Sequence, residues 1–178
     1  ILLNNKSLNF EFHVFTDYFS DEDKVRFSEL AAQYHTSIKV YLINCDKLKT
    51  LPFTKNWSYA TYFRFVIADY FYHKIDKLLY LDADIACKGS IQELAEYTFA
   101  ENEVAAVVTE RDSEWWTNRA NTLTTPALAS GYFNAGFLLI NINEWQKNDI
   151  STQAIEMLRI PEWVEKITHL DQDVLNIL

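Results

Sequence analysis

The segment Lys77-Leu78-Leu79-Tyr80-Leu81-Asp82-Ala83-Asp84 carries an apolar run straight into a pair of carboxylates. A stretch like residues 78–81 is most stable inside a sheet with both faces covered. Side chains alternate along a strand, so Asp82 and Asp84, two residues apart, point to one side. Open α/β sheets bind ligands at the carboxyl ends of their strands, and two acids placed there are costly unless something cationic satisfies them.

The rest of the chain supplies partners for such a strand. Phe10-Glu11-Phe12-His13-Val14-Phe15 and Ile38-Lys39-Val40-Tyr41-Leu42-Ile43 are strand-like, and Val104-Ala105-Ala106-Val107-Val108 and Phe137-Leu138-Leu139-Ile140-Asn141-Ile142 are buried-type strands. Between them lie helical patterns. Ser20 sits as an N-cap before Asp21, Glu22 and Asp23, with Val25, Leu30, Ala31 and Tyr34 expected on one face. Ser58 caps a second helix running to about Tyr72, a short helix is expected from Ser90 to Tyr97, and another from near Asn143 to around Pro161. Pro52 and Thr54-Lys55-Asn56 mark a loop, and residues 110–130 have no clean period and read as an irregular insert. Strands alternating with helices point to an α/β fold with a mainly parallel sheet.

Length and composition set outer limits. The 178 residues, 49% hydrophobic, suit one domain with a sizeable core, and three glycines and three prolines leave little room for linkers. A formal charge of −9 without a basic stripe argues against general nucleic-acid binding, although an acidic protein can hold an anion through a metal ion. Cys45 and Cys87 match neither a zinc spacing nor a disulfide framework, so a reducing compartment is expected. No apolar run approaches the roughly eighteen residues a membrane crossing requires, and no signal peptide is recognisable. The chain starts at Ile1 and stops within an amphipathic pattern at Leu178, so both ends are expected to be cut from a longer protein.

Four groups carry chemistry. Asp82 and Asp84 are hard oxygen ligands suited to Mg²⁺ or Mn²⁺ shared with substrate phosphates; the plain alternative is two exposed acids capping turns. Ser130-Gly131-Tyr132-Phe133-Asn134-Ala135-Gly136-Phe137 holds two of the three glycines around Asn134 and Ala135, which suits close approach of a ligand to backbone or an ordinary turn into a strand. His169-Leu170-Asp171-Gln172-Asp173 precedes an apolar helical stretch, so Asp171 either caps that helix or faces a polyol together with Gln172. Arg64 is the lone basic residue in Ala60-Thr61-Tyr62-Phe63-Arg64-Phe65-Val66-Ile67, and an arginine in such surroundings needs a fixed anion. Asp82, Asp84, Asp69 and a ligand phosphate are the candidates. There is no Walker A pattern, no G-x-G-x-x-G and no G-x-S-x-G.

Taken in order, Thr61-Tyr62-Phe63-Arg64, Leu79-Tyr80-Leu81-Asp82-Ala83-Asp84, Tyr132-Phe133-Asn134-Ala135-Gly136 and Leu170-Asp171-Gln172-Asp173 resemble the retaining glycosyltransferases of family 8 over about residues 8–178. Within that family the likeness is to bacterial enzymes that add α-linked galactose or glucose to the lipopolysaccharide outer core. The resemblance implies a GT-A-type, Rossmann-like α/β fold whose mixed, mainly parallel sheet is flanked by helices, with residues 1–178 as one domain truncated at both ends. It implies a UDP-galactose or UDP-glucose donor, a lipopolysaccharide core acceptor and Mn²⁺ (or Mg²⁺) bridging Asp82, Asp84 and the diphosphate as a Lewis acid. Arg64, Ala83, Asn134, Ala135, Asp171 and Gln172 would also contact the donor. Asp171 and Gln172 would be catalytic, Gln172 beneath the anomeric carbon. An amide is a poor nucleophile, so transfer with retention on one face through an oxocarbenium-like state is the natural mechanism.

The resemblance also implies parts that this sequence lacks. The family's first nucleotide-binding strand would lie upstream, and its third metal ligand, a histidine that His169 does not match, would lie past Leu178. Basic, aromatic segments that dock such enzymes on the cytoplasmic face of the inner membrane would lie there too, so the chain alone is expected to be inactive. The competing readings are a haloacid-dehalogenase-like phosphatase, whose usual Thr or Val is Ala86 here, and a non-catalytic nucleotide-sugar binding protein. Glu110, Trp115, Trp116 and Asn118 are assigned to the acceptor side, with plain packing of the tryptophans as the alternative.

Overall fold

The computed structural model of the chain describes residues 1–55 and 57–178; of the expected loop, Asn56 lies outside the described residues. Along the chain the elements are β1 (Glu11–Thr16), α1 (Asp21–Tyr34), β2 (Ser37–Leu42), α2 (Phe63–Phe71), β3 (Lys77–Leu81), α3 (Gln92–Glu96) and β4 (Ala105–Thr109). They continue through α4 (Ser113–Leu123), β5 (Phe133–Asn141), α5 (Ile142–Lys147), α6 (Ile150–Met157), α7 (Pro161–Val164) and α8 (Leu170–Ile177). These fall into two compact units, Ile1–Lys47 with Asp84–Tyr97, and Leu48–Ala83 with Thr98–Leu178.

In the first unit β1 and β2 pair in parallel, with Phe12 opposite Ile38 and Val14 opposite Val40. A parallel pair needs a crossover, and α1 provides it. Ser20 and Asp23 close a capping box at its start, each side chain accepting from the other's backbone N–H at 3.1 Å. The expected apolar face is not the one that turns inward: Val25 and Leu30 are exposed, whereas Phe27, Ala31 and Tyr34 are half-buried. Val25 and Tyr34 are nine residues, about two and a half turns, apart, so they lie on opposite sides of the helix. Asn5, buried, ties the second segment to the first: its amide donates to the Gly89 carbonyl at 3.2 Å and accepts from the Ile91 N–H at 2.7 Å.

The second unit is built on a three-stranded sheet in the order β3-β5-β4, both pairings antiparallel. The sheet content is therefore mixed as expected, but among the described residues parallel pairing is confined to β1 and β2. Buried-strand composition does not encode strand direction, so the expected predominance of parallel pairs had no local support. The burial of β3 also differs from expectation: its residues are half-buried because it lies at the edge. The central strand is β5, where Leu138, Leu139 and Ile140 are consecutive and all buried, so both faces are covered.

Two helical expectations change. Residues 110–130 are not irregular: Asp112 caps α4 by accepting the Trp115 N–H at 2.9 Å, and a 3₁₀ turn at Pro126–Ser130 follows. A mixed set of polar and aromatic residues concealed the period, since only Arg119, Ala120 and Leu123 are fully buried in α4. Ala120, Leu123, Leu128 and Tyr132 form a small core there, with Trp115 and Trp116 packed against it. The helix expected from 143 to 161 is broken after α5, where Asp149 takes a left-handed conformation (φ 51°) before α6 begins.

Candidate functional site

Antiparallel pairing decides which residues meet. Leu81 at the end of β3 faces Phe137, and Thr109 at the end of β4 faces Phe133, so both strand ends flank the first residues of β5. The Asp82 N–H then donates to the Gly136 carbonyl at 2.8 Å, and the Glu110 N–H to the Tyr132 carbonyl at 2.9 Å. On the other side, α8 is held to β5 by Asn176. Its side chain accepts the Phe133 N–H at 2.8 Å and donates to the Phe133 carbonyl at 3.0 Å.

Arg64 is the centre of this arrangement. Ser58 caps a 3₁₀ turn, Tyr59–Tyr62, that runs into α2 and delivers Arg64 buried at 4% exposure. Its Nε donates to the Thr61 carbonyl at 2.9 Å and lies 3.0 Å from Asp171 Oδ2. One terminal nitrogen donates to the Ala135 carbonyl, and the other reaches Asp82 Oδ1 at 3.2 Å. The guanidinium also lies 4.8 Å from the centre of the Tyr80 ring. The anion required by Arg64 is thus supplied by Asp82 and Asp171, whereas Asp69 instead accepts from Gln146 at 2.6 Å.

Asp171 does not cap α8. It points inward from the first turn at 3% exposure and accepts from the Thr61 hydroxyl as well as facing Arg64. Burial pushes its carboxyl above the usual carboxylate range, Asp82 adds to that, and Arg64 and Thr61 only partly oppose it. Asp82 is half-buried. Its Oδ1 accepts from Arg64 and from the Tyr80 hydroxyl at 2.7 Å, while burial raises the Tyr80 hydroxyl well above its ordinary value. Tyr80 and Asp82 share a face by strand alternation, a signal available in the sequence.

The two carboxamides are held at both ends. Asn134 accepts the Gly136 N–H at 2.8 Å and donates to Glu110 Oε2 at 2.7 Å. Gln172 accepts the Ala135 N–H at 3.0 Å and donates to Glu110 Oε1 at 2.9 Å. Gly136 is needed here: a Cβ would stand 2.6 Å from Asp82 Oδ2 and 2.9 Å from Asn134 Oδ1. Its missing side chain admits two site residues, so the glycine serves the protein's own side chains. At Gly131 the nearest atom to an added Cβ is 3.9 Å away.

Arg64, Asp82, Asn134, Ala135, Asp171 and Gln172 line one cleft of about 260 Å³, together with Thr61, Glu110, Gly136 and, at its rim, Trp57, Arg111 and His169. Ala83 and Asp84 follow β3 in an exposed turn, and Asp84 belongs to the first compact unit. Among the described residues no group of three His, Cys, Asp or Glu side chains could hold a metal on its own. Glu110 turns to the same amides as the donor candidates. It shares the signal of Asp82, an acid directly after an apolar strand. Trp115 packs edge-on against Tyr132 at 4.8 Å and Trp116 donates to the Glu110 carbonyl at 2.6 Å, so packing accounts for both tryptophans.

Matches to known proteins extend over nearly the whole chain. The family model for glycosyl transferase family 8 matches residues 1–178. The lipopolysaccharide 1,3-galactosyltransferase of Salmonella typhimurium is 66% identical over 177 residues, 99% of this chain and 52% of that protein. The lipopolysaccharide glucosyltransferase WaaO of Escherichia coli K12 is 55% identical over 178 residues, 100% of this chain and 52% of that protein. The chain therefore spans about half the length of the curated relatives it matches. Among solved structures, the galactosyltransferase LgtC in complex with donor and acceptor sugar analogues superposes with a TM-score of 0.83 at 24% identity. The match covers 96% of this chain and 60% of that one, and establishes the GT-A type of α/β fold.

Proposed function

The chain belongs to glycosyl transferase family 8, and on that premise we propose that its cleft is the donor half of a retaining hexosyltransferase site. The donor is UDP-galactose or UDP-glucose and the acceptor a lipopolysaccharide core oligosaccharide, as the names of the relatives suggest. The proposal treats residues 1–178 as part of one GT-A domain acting at the cytoplasmic face of the inner membrane. Among the described residues no helix is long and apolar enough to cross a membrane. The phosphatase reading and the non-catalytic reading have no observation in their favour.

The observation that carries the proposal is the shared cleft. Five separate stretches of chain deliver a buried arginine, an accessible carboxylate and two oriented carboxamides to one concavity. That set suits an anionic, hydroxyl-rich ligand. Arg64 is the fixed cation nearest the diphosphate. Asn134, the Ala135 backbone, Asp171 and Gln172 hold the hexose, with Gln172 beneath the anomeric carbon and Asp171 gripping hydroxyls. Departure and attack on one face through an oxocarbenium-like state keep the anomeric configuration.

A divalent cation fits the residues present. Asp82 Oδ1 is occupied by Arg64 and Tyr80, leaving Oδ2 for a hard cation. Mg²⁺ and Mn²⁺ are commonly held by one or two carboxylates plus substrate phosphates and water. Asp82, with Asp84 assigned from its place two residues along the chain, would be the protein's ligands, and Ala83 between them would contact the donor. When bound, the ion would supply Lewis-acid stabilisation of the leaving diphosphate. Titrating UDP with and without Mn²⁺ is the test: binding should require the ion and lose that requirement, with most of its affinity, in Asp82→Ala. Unchanged Mn²⁺-dependent binding in that variant would refute the assignment.

A further inference from the structure

The two carboxamides of the cleft are not free to turn over, and their orientation has one common cause. The Ala135 and Gly136 N–H groups can only donate, so the atoms facing them in Gln172 and Asn134 must be the amide oxygens. The opposite, NH₂ ends converge on Glu110, whose ionised carboxylate can only accept, one oxygen for each amide. Flipping either amide would set donor against donor at the backbone and acceptor against acceptor at Glu110. Glu110 itself is anchored at the end of β4, its N–H bonded to Tyr132 and its carbonyl accepting from Trp116. The carboxylate is half-buried, and Arg111 Nε lies 3.9 Å from Oε1.

We propose that Glu110 is a positioning residue: it fixes the rotation of the Gln172 and Asn134 carboxamides and so determines which amide atoms meet the hexose. What remains for a ligand is the second lone pair of each amide oxygen and the second hydrogen of the Asn134 NH₂, the Gln172 side chain also bonding the Tyr132 hydroxyl. Glu110 thereby sets the polarity of the sugar-facing surface by way of its neighbours. The inference rests on reading the cleft as the donor site, but the hydrogen-bond polarity it invokes can be measured without turnover.

Glu110→Gln is the decisive variant because it keeps the shape and inverts one oxygen into a donor. It can then satisfy only one of the two amides. Adding Asn134→Asp restores complementarity at unchanged net charge, since the new amide at 110 can donate to the new carboxylate and still accept from Gln172.

The side-chain ¹⁵N–¹H signals of Asn134 and Gln172 are recorded in the full chain, with kcat for a UDP-hexose and affinity for UDP with Mn²⁺ in the intact protein. Glu110→Gln should move both carboxamide signals and lower kcat about 10²-fold, the scale of a misplaced contact group, with UDP affinity unchanged. The double variant should return the Gln172 signal to its original position. Carboxamide signals unmoved in Glu110→Gln, or a UDP affinity that falls in step with kcat, would overturn the assignment. A wild-type protein that neither binds UDP nor turns over a UDP-hexose overturns the donor reading instead, and the carboxamide signals still decide the role of Glu110.

Discussion

Arg64 and Arg119 are both buried, and each engages a carboxylate from the first turn of α8, Asp171 or Asp173, two residues apart. The two pairs end in different states. Asp173, wholly enclosed, accepts from Arg119, from the Tyr132 hydroxyl at 2.7 Å and from the backbone N–H groups of Thr168 and His169 at 2.8 and 2.7 Å. Burial pushes its carboxyl up, but these donors together outweigh burial and hold it below the ordinary carboxylate range. Asp171 goes the other way: burial raises its carboxyl, Asp82 adds to that, and an arginine shared with Asp82 and the Ala135 carbonyl only partly opposes it. The same pair of ions is a closed structural clamp when every donor is committed to one acid. It becomes part of a site when the cation is divided and one of its carboxylates opens to a cleft.

The largest expected effect breaks the clamp. Asp173→Ala leaves Arg119 buried and unpaired, which should cost about 3–5 kcal/mol of unfolding free energy, read from the denaturant midpoint. Arg64→Ala should cost less, because Asp171 already holds its proton more tightly and can stay neutral, yet it should abolish UDP binding. Equal losses of stability with UDP binding intact in Arg64→Ala would erase the distinction between the two pairs.

The pH dependence of stability sharpens the same contrast at intermediate scale. An acid with a lowered folded pKa adds stability that is full above the unfolded value, about 4, and disappears as the pH falls through the folded value. Asp173 is of this kind, so Asp173→Asn should flatten the loss of stability on acidification. An acid with a raised folded pKa does the reverse. The folded state binds its proton more tightly, so stability declines as the pH rises from about 4 through the raised value. Asp171→Asn should remove that decline. Unfolding free energies between acid and neutral pH that change with the same sign in both variants would contradict the comparison.

The smallest effects lie along β5. Gly136→Ala forces a Cβ against Asp82 and should cost about 1–3 kcal/mol together with Mn²⁺-dependent UDP affinity. Gly131, in extended backbone where a Cβ would make only an ordinary contact with Thr109 at 3.9 Å, should accept alanine within about 0.5 kcal/mol. Thermal unfolding of the two variants separates a glycine placed for its neighbours from one in an ordinary strand entry.

Much of this was legible in the chain. The strand ending at Asp82, the cap at Ser20 and the need of Arg64 for an anion follow from local pattern, and Arg64, Asp82, 134–136 and 171–172 line one cleft. The inward face of α1, the helix over 113–123 and the antiparallel sheet did not follow. Their signals are weak: apolar residues scattered around the helix rather than gathered on one face, a period diluted by polar residues, and a strand direction that composition does not record. Glu110 has the same local signature as Asp82, but its bonds to Asn134 and Gln172 are distant in sequence and carry no local signal.

The sequence by itself determined the strands and several of the helices, where acids stand at strand ends, and the family to which the order of motifs belongs. These depend on side-chain periodicity and residue chemistry within a few positions. Tertiary structure alone decided that Asp82 and Glu110 flank the same end of β5, that Arg64 is divided between two carboxylates, and that Arg119 is committed to Asp173 while Asp171 shares its arginine with the more exposed Asp82. Those outcomes depend on hydrogen-bond register and burial between residues far apart in the chain. Pairing of β3 and β4 with β5, and packing of α8 across it, is what brings them within bonding distance.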